Sequence, residues 1–275
     1  MKLSLSCRIA EGFLSKEEAI MTLPELCALA VEAGFEGLCM RASQIGVHSS
    51  PDAISEAAAV IRDHGLEVTM ISGDFDIVYN NERGPNCLRN IAPYLDLAEA
   101  LGSRLIRVCI KTADDFGELR SALAAAGERG ISLLHQCHVQ SMFELVDDIE
   151  AHLQMMSELE NFGLIYEAAN LEQCRQDYGP ETMGRLYPWI RNVYLQNQRL
   201  DPNGAVTLDT WSHGPSSFDI IDIHEPGGID FAQIFKELRE MNYEGPVTVH
   251  QSAPEDGSPP AAAAKRTAEF LRTLM

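Results

Sequence analysis

Residues 131–138 read ISLLHQCH, a short apolar run that ends in imidazole and amide groups. Gly130 precedes it and no helical periodicity continues it, which is how a strand buried on both faces reads. The design recurs three times. Residues 162–170 (FGLIYEAAN) end an apolar run on Glu167, residues 191–197 (RNVYLQN) on Tyr194 and Gln196, and residues 246–252 (PVTVHQS) on His250. Alternation along a strand pairs Leu133 with His135, Ile165 with Glu167, Tyr194 with Gln196 and Thr248 with His250, each pair on one face. If the four strands are neighbours in one parallel sheet, their carboxyl ends bring two imidazoles, a carboxylate and an amide together.

Outward from this stretch, strand-like and helix-like segments alternate along the whole chain. Strands are expected at 2–9, 35–40, 67–72 and 104–111 before it, and near 163, 190 and 246 after it. Helices fall between them. One covers 23–33, with Pro24 in its first turn and Gly34 after its end. Another is opened by Ser50-Pro51-Asp52, runs to His64 and stops at Gly65. Others end at Leu101-Gly102, span about 114–126 and 141–159, and occupy 180–187. The stretch 229–241 places Phe231, Ile234, Phe235 and Leu238 at helical spacing, and 261–274 closes the chain. Eight βα units in 275 residues is the count of a single-domain (β/α)8 barrel over 1–275. An open doubly wound sheet is the competitor. It would show a glycine-rich phosphate fingerprint after the first strand, and Cys7-Arg8-Ile9-Ala10-Glu11-Gly12 is not one. Residues 198–228 break the rhythm after the seventh strand. As a long loop following a carboxyl strand end, they are expected over the barrel mouth or at a subunit contact.

A formal charge of −20 argues against nucleic acid or an anionic membrane as partner, because phosphate binding needs a basic surface. No apolar run approaches a bilayer span, and MKLSLSCRIAEGF lacks the long apolar core of a signal peptide. The seven scattered cysteines form no CxxC pair and read as buried small hydrophobes in a reducing, cytoplasmic compartment.

The strand ends resemble those of the xylose-isomerase-like barrels, a superfamily of sugar isomerases, sugar epimerases and endonuclease-IV-type enzymes. The likeness covers nearly the whole chain. It is clearest where Gly227-Gly228-Ile229-Asp230-Phe231, Gly245-Pro246-Val247 and His250 follow the family's closing pattern. The resemblance implies a divalent metal held by residues on the fifth to eighth strands, and two glutamates that shuttle protons between adjacent sugar carbons. Matched position by position, those places fall on His135, Glu167, Tyr194 and His250, so one carboxylate remains. Two histidines and one carboxylate suit zinc, manganese or ferrous iron over magnesium, with the Gln196 oxygen as a fourth ligand. His135, Glu167 and His250 are then the expected catalytic and metal-holding residues, the metal polarising a carbonyl or hydroxyl of a small carbohydrate.

Arg41, Asp74, Arg107 and Lys111 lie at or near carboxyl strand ends. An inward cation there suits a substrate hydroxylate, carboxylate or phosphate, or else an ion pair across the mouth. His138, Asn170, Tyr194 and His224 are further candidate substrate contacts. Trp211 and His213 in the long segment would cover substrate or fill the interface of a homo-oligomer. The expected activity is that of a sugar, sugar-acid or sugar-phosphate isomerase or epimerase. A metal-dependent lyase or hydratase is the alternative, and a barrel without catalysis is the third reading.

Overall fold

Eight parallel strands close into a barrel in the order β1-β11-β7-β6-β5-β4-β3-β2 in the computed structural model, which describes residues 1–12, 15–253 and 258–275. In chain order the elements are β1 (Lys2–Ser6), α1 (Leu23–Ala33), β2 (Gly37–Met40), α2 (Pro51–Asp63), β3 (Glu67–Ile71), α3 (Phe75–Tyr79), α4 (Asn86–Arg89), α5 (Ala92–Leu101), β4 (Leu105–Val108) and α6 (Asp115–Glu128). Then come β5 (Ser132–Gln136), α7 (Val146–Met155), β6 (Phe162–Glu167), α8 (Ala168–Gln173), α9 (Pro180–Leu186) and β7 (Ile190–Leu195). After β7 the chain makes β8 (Gln198–Leu200), β9 (Val206–Thr210) and β10 (Gly214–Ile220), and it ends with α10 (Phe231–Glu240), β11 (Pro246–Val249) and α11 (Pro260–Leu274). This is a single (β/α)8 domain.

Local chemistry sets the helix bounds. Glu25 accepts the Thr22 N–H at 2.8 Å at the start of α1, and Gly34 ends the helix at φ 84°, where a side chain would be strained. Ser50 Oγ accepts from Ala53 N at 3.2 Å at the start of α2. Asp230 accepts from Gln233 N at 3.0 Å at the start of α10. No helix among the described residues is long and apolar enough to cross a membrane.

The barrel interior is built in layers that climb two residues at a time. Near the amino ends lie two polar pairs, Ser4 with Thr69 at 2.7 Å and Thr248 with Asn192 at 3.0 Å. Above them Cys39, Met70, Leu134, Ile165 and Tyr194 form a buried cluster. One further step along the strands brings Arg41, Arg107, Gln136, Glu167, Gln196 and His250 to the mouth. The intervening residues, among them Leu38, Ile106, Leu133, Leu164, Val193 and Val247, face outward and pack under the helices in the larger core.

Residues 198–228, expected as a long loop, carry their own structure. They fold as an antiparallel sheet in the order β8-β10-β9. Glu144 tethers its tip by accepting the N–H groups of Trp211 at 2.9 Å and Ser212 at 2.8 Å.

Candidate functional site

The mouth layer encloses a cavity of about 290 Å³. Strand ends and the loop after β1 supply Arg8, Lys16, Arg41, Arg107, Gln136, Glu167, Gln196 and His250, and the β9–β10 hairpin covers it with Leu208, Asp209, Phe218 and Ile220.

Glu167 is the one carboxylate that a barrel strand brings to this cavity, and it is 2% exposed. Its Oε2 accepts from Asn170 Nδ2 at 2.6 Å and from Gln136 Nε2. Asn170 reaches it because β6 runs straight into α8, which puts residue 170 one helical turn above residue 167. Burial raises the Glu167 carboxyl to about 7, against the opposing pull of Gln136, Arg107 and Asn170.

His250 stacks on Tyr194 at 4.1 Å between ring centroids, and its Nδ1 lies 3.0 Å from Ser6 Oγ. Burial first, and then Arg41, Arg8, Arg107 and Lys16, push its pKa well below the usual value, so the imidazole is neutral. His138 lines the wall beside Asn80, whose Nδ2 is 3.0 Å from its Nδ1. Burial and Arg107 depress its pKa in the same way.

The cations differ in how far they are committed. Arg41 holds Glu11 with Nε at 2.7 Å and Nη2 at 2.9 Å, and Ser43 adds a third donor to that carboxylate at 2.7 Å. Arg41 Nη1 is buried and has no hydrogen-bond partner among the described residues. Arg8 reaches Glu11 at 3.5 Å. Lys16 lies 5.3 Å over the Tyr79 ring, and burial, reinforced by Arg8, Arg41 and Arg107, brings its amine down to about 7. Arg107 is 2% exposed, and its buried Nε meets no acceptor among the described residues.

Several expected residues lie elsewhere. His135 does not line the cavity. It leaves β5 on the outward side, stacks on Phe143 at 4.2 Å, and places Nδ1 2.6 Å from the Gln136 carbonyl. The inward residue at that strand end is Gln136, one position on. Tyr194 is inside the barrel but one layer below the mouth, 1% exposed, with its hydroxyl 3.2 Å from Cys39 Sγ. Asp74 caps α3 by accepting from Ile77 N at 2.7 Å and takes the Tyr94 hydroxyl, away from the cavity. His224 is on the surface, 3.9 Å from Asp222. Lys111 donates to the Gln140 carbonyl at 2.5 Å and lies 5.6 Å over the Trp211 ring. Arg41, Arg107, His138, Glu167, Asn170, Gln196 and His250 are brought together. Gln136, Arg8 and Lys16 were not anticipated. The alternation Ser4, Ser6, Arg8 along and beyond β1 could have marked Arg8 as inward.

The four strand-end positions therefore offer two amides, one imidazole and one carboxylate, and that carboxylate already accepts two amide N–H groups. Four cationic side chains share the cavity. Among the described residues, no group of three or more His, Cys, Asp or Glu is placed to hold a metal. A divalent cation needs several oxygen, nitrogen or sulfur donors of net negative charge. The expected ligand set of His135, Glu167, Gln196 and His250 is not assembled, and the residues present do not fit such an ion.

A family model described as xylose isomerase-like TIM barrel matches residues 27–274. No curated protein matches the chain. Among solved structures, the probable 3-DHS dehydratase AsbF of petrobactin synthesis from Bacillus anthracis superposes with TM-score 0.68 at 17% identity, over 99% of both chains. The 3-keto-D-glucoside 4-epimerase YcjR from E. coli gives TM-score 0.67 at 18% identity, over 99% of each chain. A xylose isomerase-like TIM barrel protein from Mycobacterium smegmatis, solved in complex with magnesium, gives 0.68 at 18%, covering 92% of this chain and 87% of that one. At such identities the likeness is one of fold.

Proposed function

Because the chain belongs to the xylose isomerase-like TIM barrel family, we propose that it is an enzyme moving a proton between carbons of a small sugar-derived substrate, an isomerase or epimerase in kind, with Glu167 as its acid–base group. The observation that carries this is Glu167 itself. It is the strand-borne carboxylate lining a cavity of about 290 Å³, held in place by Gln136 and Asn170 and sharing the cavity with cations. Its pKa near neutrality suits a group that must both take and return a proton.

In this reading Glu167 removes a proton from the carbon beside a carbonyl, and the electron pair moves onto the carbonyl oxygen. Gln136 and Asn170 fix the carboxylate's direction, so the proton is taken along one line. The charge growing on the substrate oxygen meets the arginines of the mouth, which are already desolvated and need no reorganisation. Glu167 then returns the proton to the former carbonyl carbon. The hydroxyl proton on the carbon first deprotonated passes across the enediolate to the oxyanion, so that the carbonyl moves one carbon along. Inverting a carbon instead requires an acid on the other face. Lys16 lines the same cavity from the loop after β1, and its amine titrates near 7.

The test is exchange in D2O. Purified protein is incubated with small neutral sugars, sugar acids and sugar phosphates, and deuterium entering at carbon is followed by NMR. The expected result is wash-in by the parent, loss in Glu167→Gln, and isomerised or inverted product. Loss of water from the substrate would instead favour the lyase chemistry. Exchange by Glu167→Gln at the parent's rate would remove the assignment.

A further inference from the structure

Resting on that reading, we infer that the substrate carries an oxyanion, a carboxylate or a phosphate, and that Arg107 binds it, with Arg41 Nη1 and Arg8 beside it. Arg107 is buried at the inner end of β4, lines the cavity, and makes no hydrogen bond or ion pair with any described residue, its Nε being a buried donor without an acceptor. A guanidinium is always charged and offers five donors in a fixed fork. Burying one without a partner is so unfavourable that a partner is expected from outside the chain.

The acids nearby do not answer it. Glu11 is committed to Arg41 through two hydrogen bonds and to Ser43 through a third. Glu167 feels the charge of Arg107 but makes no hydrogen bond or ion pair with it, and its Oε2 is committed to two amides. Asp209 comes from the hairpin and is exposed. Arg41 has a second buried unpartnered donor, Nη1, on a guanidinium whose orientation is locked by its bidentate hold on Glu11. Arg41 also lines the cavity, so its locked guanidinium stands beside Arg107 as fixed, desolvated positive charge, which is how a preorganised oxyanion site is made.

Size points to a small molecule. About 290 Å³ lies at the lower end of ligand cavities, roughly 300–1,000 Å³. The chain as a whole is acidic, at −20, so the cationic mouth is a local arrangement and not a reflection of composition. Positive charge from the ends of β1, β2 and β4 thus shares the cavity with the strand-end positions where the family resemblance implies a metal.

The experiment measures binding to the whole protein at matched ionic strength, by calorimetry, with inorganic phosphate and glycolate as probes and glycerol as the neutral control. The parent should bind at least one of the two anions and not glycerol. Phosphate alone marks a sugar phosphate, and glycolate alone or both marks a sugar acid. Arg107→Met should weaken the bound anion by about tenfold or more, and Arg107→Lys should keep part of the affinity. Glu167→Gln should bind the anion at least as well as the parent, because a nearby negative charge is gone. Failure of the catalytic reading therefore shows in exchange alone, and failure of this inference in binding alone. Anion binding absent from the parent, equal in Arg107→Met, or matched by glycerol would overturn it. Should Arg107→Met not fold, the parent's anion-against-glycerol comparison and Arg107→Lys still decide.

Discussion

Glu167 is fully buried, and its carboxyl titrates near 7, whereas in an unfolded chain it would titrate near 4.5. Between these values the folded protein keeps a proton that the unfolded chain has lost. Its contribution to stability is therefore complete below about pH 4.5 and lost as pH rises toward 7, by up to about 3 kcal/mol. Glu167→Gln removes this dependence. Thermal melts of parent and variant across pH 4.5 to 7 should diverge, the variant gaining on the parent as pH rises, while catalytic exchange is abolished. A constant difference would mean that the carboxyl is ionised in the fold at low pH. His135 works the other way. Burial takes its pKa down to about 3, so it is neutral in the fold, and its contribution is lost as pH falls from about 6.5 toward 3. Its Nε2 is buried and makes no well-formed hydrogen bond with the described residues, and its ring lies against Phe143. His135→Phe should therefore retain exchange activity, cost less than about 1.5 kcal/mol at pH 7, and melt closer to its neutral-pH value than the parent does near pH 4. Loss of activity in a folded His135→Phe would return that histidine to the site.

At the scale of elements, β2, β5, β6 and β7 each supply one residue to the buried ring and, two residues on, one polar group to the mouth. Ile165 and Glu167 are such a pair on β6. Ile165→Ala should leave a cavity in that ring and cost roughly 2–5 kcal/mol in denaturant unfolding. A loss under 1 kcal/mol would show that the ring does not carry packing. The return from the hairpin hangs on one side chain. Asn197 is fully buried, donates to the Asp222 carbonyl at 2.8 Å and the Glu225 carbonyl at 3.1 Å, and accepts from Ile229 N at 3.0 Å. A Cβ on Gly228 would collide with its Oδ1 and with the Gln198 carbonyl, which explains the glycine there. Asn197→Ala leaves these backbone groups unpaired, at about 1–3 kcal/mol for each that water cannot reach, and should speed proteolysis between residues 222 and 229. These elements were legible to different depths. The bounds of α1 and α2, and the existence of every barrel strand, follow from caps, glycines and apolar runs, all of which act locally. The parity of β5 does not. Leu133 and Leu134 are both apolar and His135 and Gln136 both polar, so alternation cannot say which pair faces in, and a one-residue choice exchanges the faces. On β6 and β11 the pairs Ile165 with Glu167 and Thr248 with His250 leave no such ambiguity. The sheet within 198–228 was hidden because β8 and β9 are short and mostly exposed, and each of its three strands buries only one residue, so no apolar run marks it. That Arg107 lacks a partner depends on what the other elements lining the cavity do not place beside it, and no local pattern records that.

The whole molecule sets a net charge of −20 around a mouth lined by Arg8, Lys16, Arg41 and Arg107. That combination makes metal content alone a misleading observable. An acidic surface gathers divalent cations in a diffuse layer that salt displaces, since the Debye length falls from about 30 Å at 0.01 M to about 8 Å at 0.15 M. A true site behaves otherwise. An ion bound to the folded state stabilises it by RT ln(1 + [L]/Kd), about 2.7 kcal/mol at a hundredfold excess over Kd, and moderate salt does not erase this. The donors at the mouth predict that no such term exists here. Protein dialysed against chelator and then into 0.15 M salt should hold no stoichiometric metal. Its melting temperature should not move on adding micromolar manganese or zinc, and its deuterium exchange at carbon should run at the rate of undialysed protein. Two controls keep the test sharp. Arg107→Met should also be unaffected by chelator, since its defect is in anion binding, and magnesium at low salt should give only a small shift that disappears at 0.15 M. Exchange lost on dialysis and restored by one equivalent of metal would show that Glu167, His250 and the two glutamines do hold a cation after all. The arginines would then have to bind an anion that shares the cavity with it.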